Sequence, residues 1–295
     1  MKCQALFSKD IFLNGECSLR RLLDIAHPRC QVIAPDENPM WVDTEDLSND
    51  KDITILTGGL ETYSDDVMEE LNIKIKRWPT YFLEKVVHTQ SINQRSVTPK
   101  RLYISLNGEA RYHRCYMMDQ LCKHNLLQFG YISWHSLRFY DWYKWEHWNP
   151  KILLLQSKIA DINQIVDVLP TEWFLSAINL VTETDARKTF ITEKTAMPLL
   201  HGKPFIVLGA KGFHKHLQDL GFKLYPIFDY SFDDESKIFD RVAGIIQNLD
   251  RLSKYSPNDL YQECLETIEY NQIQLSQIGY AEGNFFSQKF STKSA

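Results

Sequence analysis

The sequence predicts an α/β fold in which parallel strands alternate with helices. Residues 178–209, INLVTETDARKTFITEKTAMPLLHGKPFIVLG, read as a strand, a polar loop, a helix and a second strand. Residues 18–78 and 102–134 repeat the alternation of short apolar runs with amphipathic stretches. Strands that are connected through helices form parallel sheets. We therefore predict two Rossmann-like units.

The central stretch defines its own elements. Ile178 to Val181 is a short apolar run typical of a buried strand, and Thr182 to Thr189 is a polar loop. Thr192 can cap a helix that Gly202 ends, and Phe205 to Leu208 is the next buried strand. Ligands of parallel sheets bind at the carboxyl ends of the strands. The loop before this helix is therefore a candidate ligand site.

The first third of the chain reads as a small α/β unit. We predict helices at 18–26 and 65–71 and strands at 30–34, 52–57 and 73–78. Pro99 favours extended backbone before it, and a new strand follows, so a domain boundary is predicted after residue 99. Residues 100–280 form the second domain, and residues 281–295 are predicted to be a flexible tail.

The second domain continues the same alternation. The elements expected before the central stretch are a strand at 102–106, a helix at 111–123, strands at 127–134 and 152–155, and a helix at 160–168. Those expected after it are a helix at 213–220, a strand at 222–225, and helices at 239–253 and 258–278.

Composition limits the classes of partner. The net charge is −5, and the first 99 residues hold 11 of the 33 basic and 16 of the 38 acidic residues. Any contact with nucleic acid would therefore need a local basic patch rather than a positive field over the whole molecule.

The six cysteines form no CxxC pair, so we expect no zinc site, and this usage suits a reducing compartment. The first residues lack the apolar segment of a signal peptide, and no apolar run approaches a membrane span. These features predict a cytoplasmic protein, in a bacterium or in a host cell infected by a virus.

Three blocks of sequence resemble a known family. INLVTET…FITEK…PLLHGKPFIVLG is similar to the nucleotide-sugar-binding motif of the α1,3-fucosyltransferases and related GT-B glycosyltransferases, approximately INxxFEN…YxTEK…A…PIxxG. Upstream, Arg114 in RCYMMDQL occupies the place of the motif arginine of that family. A third block, LGFKLYPIFDYSFDDESKIFDRV, resembles the segment that follows in related bacterial and viral enzymes. The blocks cover about residues 100 to 250.

The resemblance implies a GT-B fold, with two Rossmann-like domains facing each other across a cleft. Residues 1–99 would then lie on the acceptor side, and residues 100–280 would bind the nucleotide-sugar. Arg114 and Lys194 would hold the departing diphosphate, because arginine grips phosphate in bidentate fashion and lysine supplies a compact charge. Glu193 would hold hydroxyls of the sugar or ribose. The other residues expected at the donor are Arg111, Glu183, Thr184 and Thr192.

The chain departs from the family pattern at two positions. Phe190 stands where the family usually has Tyr, and Thr184 stands where it often has Asn. Fucose is therefore not implied as the donor sugar. On spacing alone, Glu193 and Lys194 also fit an ordinary solvated first helical turn.

Positive side chains can replace a metal ion at a diphosphate, so we expect metal independence and no cofactor besides the nucleotide-sugar. The acidic run Asp233-Asp234-Glu235 reads as an exposed loop rather than a metal site.

The catalytic base should be a carboxylate of the first domain. Glu61 follows Gly58-Gly59 and is the first candidate, and Asp36 is the second. Neither residue matches a motif, and an ordinary solvated loop carboxylate is the preferred interpretation of each.

Residues 135–148, HSLRFYDWYKWEHW, are dense in aromatic side chains. They either pack on the core or form an acceptor platform, in which case Trp142, Trp145 and Tyr140 would contact the acceptor.

The predicted function is an inverting hexosyl- or pentosyltransferase. Its acceptor would be a hydroxyl of a glycan or of a modified base in viral DNA, for example hydroxymethylcytosine. The alternative is an inactive protein of the same fold that binds a nucleotide-sugar or nucleic acid. An epimerase or another Rossmann enzyme is disfavoured, because the first strand lacks the glycine fingerprint. The oligomeric state is left open.

Overall fold

The structure, a computed structural model, describes residues 4–7, 17–34, 40–41, 48–57, 65–77, 97–108, 110–134, 143–147 and 169–290. Contacts group the chain into two compact units, Met1–Lys85 with Phe190–Thr192, and Val86–Thr189 with Glu193–Ala295. Each unit contains a four-stranded parallel sheet, so the predicted α/β class is confirmed. The boundary after residue 99 and the cleft of a GT-B enzyme stay predictions.

The first unit is built from short elements. Its strands are β1 (Gln4–Phe7), β2 (Cys17–Ser18), β3 (Arg29–Ala34), β4 (Met40–Trp41), β5 (Asp52–Thr57) and β6 (Ile73–Arg77), and its helices are α1 (Leu19–Ile25) and α2 (Asp65–Glu70). The sheet has the order β1-β3-β5-β6, and β2 pairs separately with β4. Apolar side chains of α1 and β5 are fully buried: Leu19, Leu22, Ile53 and Ile55.

The second unit carries the larger sheet. Its strands are β7 (Arg101–Asn107), β8 (Gly130–Trp134), β9 (Ser176–Thr182) and β10 (Phe205–Leu208). All are parallel, in the order β10-β9-β7-β8. From β7 the chain passes to β8 on one side and then returns to β9 and β10 on the other. The order therefore reverses between β7 and β9, and such a switch point is where open α/β sheets bind ligands.

The helices of the second unit cover this sheet. They are α3 (Tyr112–Lys123), α4 (Thr171–Phe174), α5 (Glu193–Leu200), α6 (Phe213–Asp219), α7 (Ile238–Leu252), α8 (Pro257–Glu263) and α9 (Leu265–Phe290). Every residue of β9 is buried, as expected for a central strand with both faces covered. On one side Ile104 of β7 packs in a cluster with Trp173 and Met197.

Helix α5 begins and ends where the sequence indicates. It starts at Glu193, directly after Thr192. Gly202 has a positive φ of 65°, and the amide of Lys203 donates to the carbonyl of Pro198. A left-handed residue after the last turn closes a helix in this way, and glycine adopts that conformation without a steric penalty.

Two predicted elements differ from the structure. The predicted strand at 222–225 is wrong, because its backbone is bonded to side chains instead of to a neighbouring strand. Asn271 accepts from the amide of Lys223 and donates to its carbonyl, and the amide of Tyr225 donates to the hydroxyl of Tyr230. The single helix expected at 258–278 is divided at Cys264 into α8 and α9.

Two predicted elements lie outside the described residues, namely the strand at 152–155 and the helix at 160–168. Helix α9 continues to Phe290, into the segment assigned to a flexible tail, and that assignment stays a prediction. Among the described residues, no helix has the length and apolar character needed to cross a membrane.

Candidate functional site

A pocket of about 670 Å³ opens at the carboxyl ends of the strands in the second unit. Three strand-to-helix loops supply its wall, those after β7, β9 and β10, and the start of α7 completes it. The lining residues are Arg111, Tyr112, His113, Thr184, Asp185, Ala186, Arg187, Lys211, Ser236, Ile238 and Arg241. The loops after β7 and β9 flank the switch point of the sheet, so this is the position that the topology predicts for a ligand.

The pocket is strongly basic. Among the described residues that line it, the positive side chains are Arg111, Arg187, Lys211 and Arg241, and the one carboxylate is Asp185. Asp185 forms an ion pair with Arg187, whose guanidinium NH2 donates to the carboxylate at 3.0 Å and whose backbone amide donates to it at 2.7 Å. Burial alone would raise the pKa of Asp185, but these hydrogen bonds outweigh it and lower that pKa. Arg111, Lys211 and Arg241 therefore set the charge of the pocket.

Two of these arginines also hold the loop that follows β9. Arg111 donates to the carbonyl of Thr184 at 2.6 Å. Arg241 lies on α7, is only 4% exposed, and donates to the carbonyl of Ala186 at 2.8 Å. Its other terminal nitrogen donates to the carbonyls of Glu235 and Ser236. The loop is thus fixed to α3 and α7 by cations, which places rigid positive groups at the pocket wall.

Arg114 lies beneath the pocket rather than in its wall. It is 2% exposed and donates to the carbonyls of Thr182 and Glu183, both at 3.2 Å. His113 donates to the same Glu183 carbonyl at 2.8 Å. Burial lowers the pKa of His113 to about 4, with further lowering by Arg114 and Arg111, so this ring is neutral at pH 7. Arg114 therefore positions the β9 loop and adds charge behind the pocket.

The Glu183 side chain points into the protein. It is fully buried, accepts from the hydroxyl of Thr195 at 2.6 Å, and accepts from the amide of Thr184 at 3.1 Å. Glu183 thereby connects the end of β9 to the first turn of α5. Of the donor residues expected from the sequence, Arg111 and Thr184 line the pocket, and Glu183 supports Thr184 by accepting its amide.

Glu193 and Lys194 form an ion pair beside the pocket. The Lys194 ammonium is 2.6 Å from a carboxylate oxygen of Glu193, and it also donates to the hydroxyl of Thr184 at 3.2 Å. Both side chains are largely buried, since 12% of the Lys194 side chain and 7% of the Glu193 side chain are exposed. They line a small cavity of about 20 Å³ together with Trp173 and Met197. Thr184 joins this pair to the larger pocket.

The remaining predicted residues are distributed as follows. Thr192 is buried and belongs by its contacts to the first unit. The Trp145 ring packs against Trp134 and Tyr143, at centroid distances of 5.9 Å and 4.6 Å. Four predicted residues lie outside the described residues, and their roles stay predictions: Glu61, Asp36, Trp142 and Tyr140.

In the acidic run after α6, Asp234 and Glu235 are exposed as the sequence predicts, whereas Asp233 is buried, with 6% of its surface exposed. Its carboxylate is 2.7 Å from Nδ1 of His214 and accepts the amides of His214 and Lys215. The amide of Val207 donates to Nε2 of His214, so Nδ1 carries the proton that is donated to Asp233. Asp233 therefore fixes the β10–α6 loop, which carries Lys211 into the pocket.

One group of side chains in the described part of the chain has the spacing of a metal site. Single ligand atoms of Asp119, Glu146 and His147 lie within 4.8 Å of one another. The Asp119 carboxylate accepts the backbone amide of His147 at 2.7 Å and that of Glu146 at 3.3 Å. These bonds explain why the loop 143–147 lies against α3, so the grouping follows from a structural role of Asp119.

Sequence reasoning missed Lys211, Arg241 and Tyr112 as pocket residues. Lys211 could have been found, because it follows a predicted strand in the same way as the loops after β7 and β9. Arg241 belongs to the third block of family resemblance, LGFKLYPIFDYSFDDESKIFDRV, but its 55-residue separation from Ala186 hides the contact. Tyr112 stands directly beside Arg111 and could have been included with it.

No protein-family model matches this chain, and no curated protein matches it. The fold is similar to one solved structure, that of the DNA-modifying enzyme β-glucosyltransferase in the presence and absence of its substrate uridine diphosphoglucose. The two structures align over 99% of both chains, with 9% sequence identity and a TM-score of 0.45. A likeness this weak does not bear on activity, and the fucosyltransferase resemblance stays a prediction from the motifs.

Proposed function

We propose that this chain is a glycosyltransferase and that its basic pocket binds the diphosphate of a nucleotide-sugar donor. The observation that carries the proposal is the concentration of Arg111, Lys211 and Arg241 at the switch point of the parallel sheet, where Asp185 is already paired. A diphosphate leaving group gains negative charge in the transition state of sugar transfer. Fixed cations stabilise that charge without reorganisation during the reaction.

The sequence motifs agree with this placement at two levels. Thr184 comes from a motif block and lies in the pocket wall, and Arg111, from the loop that precedes the block of Arg114, lies there too. Arg114 and Glu183 come from the blocks themselves and hold the loop that follows β9. Glu193 and Lys194 lie beside it through Thr184. The motif therefore supplies the frame of the proposed donor site, and the third block supplies an additional cation, Arg241.

The remaining parts of the mechanism rest on the sequence. We propose an inverting, metal-independent transfer, in which a carboxylate of the first unit, Glu61 or Asp36, deprotonates the acceptor hydroxyl. The acceptor is a glycan or a hydroxylated base of DNA. Mass spectrometry after incubation of the protein and donor with hydroxymethylcytosine-containing DNA distinguishes these acceptors, because transfer to the base adds one sugar to the nucleotide.

The donor proposal is tested first by binding. Thermal-shift assays with UDP-, GDP-, CMP- and dTDP-sugars identify the nucleotide, and isothermal titration calorimetry gives its dissociation constant. Lys211→Ala should weaken binding by about tenfold or more, because it removes one charge-assisted contact to phosphate. Lys254→Ala is the matched control, since Lys254 is an exposed lysine paired with Asp250 outside the pocket.

Three results decide the proposal. Tight donor binding that Lys211→Ala weakens and Lys254→Ala does not would support the site. Equal affinity in all three proteins would refute it. Donor binding without release of free nucleoside diphosphate in the presence of acceptors would favour the inactive binding protein instead.

A further inference from the structure

Two exposed aromatic side chains lie at the starts of α3 and α7. Tyr112 is the first residue of α3 and is 46% exposed, and Phe239 is the second residue of α7 and is 43% exposed. Their ring centroids are 6.2 Å apart, and the ring of Tyr116, one turn further along α3, is 4.8 Å from that of Phe239. Exposed aromatic rings in contact are costly to solvate, so a paired arrangement at the surface points to a ligand.

One ring of this aromatic pair lies in the wall of the basic pocket, and the other ring is next to it. Tyr112 lines the pocket between Arg111 and His113. On α7, Phe239 follows the lining residue Ile238 and precedes Arg241 by two positions. A ligand whose phosphates contact Arg111 and Lys211 would therefore meet Tyr112 in the same pocket and Phe239 beside it.

Tyr112 is held in place from behind. The ring of Tyr143, which is 8% exposed, packs against it at 5.5 Å with an interplanar angle of 65°. Tyr143 in turn packs against Trp145 at 4.6 Å. The orientation of the Tyr112 ring is therefore fixed by its neighbours, while almost half of its surface stays open. A fixed ring loses little conformational entropy when a planar ligand stacks on it.

We propose that Tyr112, with Phe239, stacks the nucleobase of the nucleotide whose phosphates occupy the basic pocket. This assignment rests on the proposed function and adds the specificity part of the donor site. Base stacking on aromatic side chains is sequence-tolerant and contributes substantially to affinity, because every base has a π-face. The expected contribution is at least about tenfold in the dissociation constant.

The test separates the base from the phosphates. Dissociation constants are measured by isothermal titration calorimetry for inorganic pyrophosphate and for the nucleoside diphosphate, among UDP, GDP, CDP and dTDP, that the wild type binds most tightly. Tyr112→Leu keeps an apolar side chain but loses the ring. We expect it to weaken nucleoside diphosphate binding by about tenfold or more and to leave pyrophosphate binding unchanged.

Further variants control for folding and for the hydroxyl. Tyr112→Phe should bind like the wild type, because it keeps the ring, and Phe239→Ala should reproduce the loss specific to the base. Tyr255→Ala removes a 58%-exposed tyrosine that follows the other end of α7, and it should change neither constant. Melting temperatures of all variants show which of them retain the fold.

The outcomes differ for the two proposals. Wild-type binding of neither pyrophosphate nor any nucleotide would refute the donor site and, with it, the stacking. Pyrophosphate binding with nucleotide affinity unchanged in both Tyr112→Leu and Phe239→Ala would refute the stacking alone. Equal losses for pyrophosphate and nucleotide would refute it too. The stacking would also be refuted if both variants lost affinity only for a single-stranded oligonucleotide, because Tyr112 and Phe239 would then bind a base of the acceptor.

Discussion

At the scale of single residues, Lys203 is the most unusual ionisable group that the structure describes. Its side chain is fully buried, and the amine donates to the carbonyl of Ser176 at 2.5 Å and to its hydroxyl at 3.2 Å. The ring centroid of Trp173 lies 5.3 Å from the same nitrogen. Burial lowers the pKa of Lys203 well below its ordinary value, because the charged form is poorly solvated there.

This shift predicts a particular dependence of stability on pH. The unfolded chain binds a proton at Lys203 below a pH of about 10.4, whereas the folded protein resists it. The free energy of unfolding of the wild type should therefore fall between pH 10 and pH 7 relative to that of Lys203→Met. Urea denaturation of both proteins at pH 10 and pH 7 gives the four free energies of unfolding. Any effect of the substitution that does not depend on pH cancels when the two proteins are compared at both pH values. A difference that stays constant with pH would show that Lys203 is charged in the fold.

At the scale of elements, the junction between β10 and α6 depends on Asp233. Its carboxylate binds Nδ1 of His214 and two amides at the start of α6. Burial alone would raise the pKa of Asp233, but the hydrogen bonds from the ring and amide of His214 and from the amide of Lys215 outweigh burial and lower that pKa. Asp233→Ala should reduce the free energy of unfolding by at least about 2 kcal/mol, since a buried charged acceptor is lost. Asp250→Ala, at an exposed aspartate, is the control for chemical denaturation.

The same carboxylate gives a second test in acid. A lowered pKa in the fold means that the stabilisation is complete above the ordinary aspartate pKa of about 4 and is lost as the pH falls through the folded value. Asp233→Asn keeps the shape and removes the titration. Its stability should therefore fall less steeply below pH 4 than that of the wild type. Parallel acid profiles would rule out this role for Asp233.

The elements of the second unit show what sequence reasoning can reach. Helix α5 was predictable because its start, its apolar residues and Gly202 are all local signals. The error at 222–225 has a non-local cause. Phe222 and Tyr225 are buried as a strand would require, but Asn271, 48 positions from Lys223, takes the backbone bonds of that residue. No local pattern reveals a partner at that distance.

The residues of the candidate site also divide into those that local sequence predicts and those that depend on tertiary packing. Arg111 and Thr184 were predictable, because both stand in loops that follow strands of a parallel sheet. The depth of Arg114 was not, since its exposure is decided by α3 packing against the end of β9. The Lys194–Glu193 pair was also hidden, because adjacent helical residues do not ordinarily face each other. Sequence thus located the loops, and packing decided which side chains reach the pocket.

At the scale of the whole molecule, charge is unevenly distributed. The chain carries −5 overall, with the excess of acid in its first 99 residues, yet the pocket of the second unit collects arginine and lysine. A long polyanion meets the field of the whole surface, whereas a small diphosphate meets mainly the local field of the pocket. This distribution agrees better with a nucleotide in the pocket than with duplex DNA bound there.

The same charges lead to a prediction about metals. Sugar transfer should continue after exhaustive treatment with EDTA, because Arg111, Lys211 and Arg241 can neutralise the diphosphate without a divalent ion. The rate of nucleoside diphosphate release is measured with and without EDTA, and then after addition of excess manganese. Lys211→Ala is measured in the same way. If manganese can bridge the phosphates in this pocket, adding it should restore part of the rate that the variant has lost. Activity that disappears in EDTA and returns with manganese would mean that the cations of the pocket are not sufficient for the leaving group.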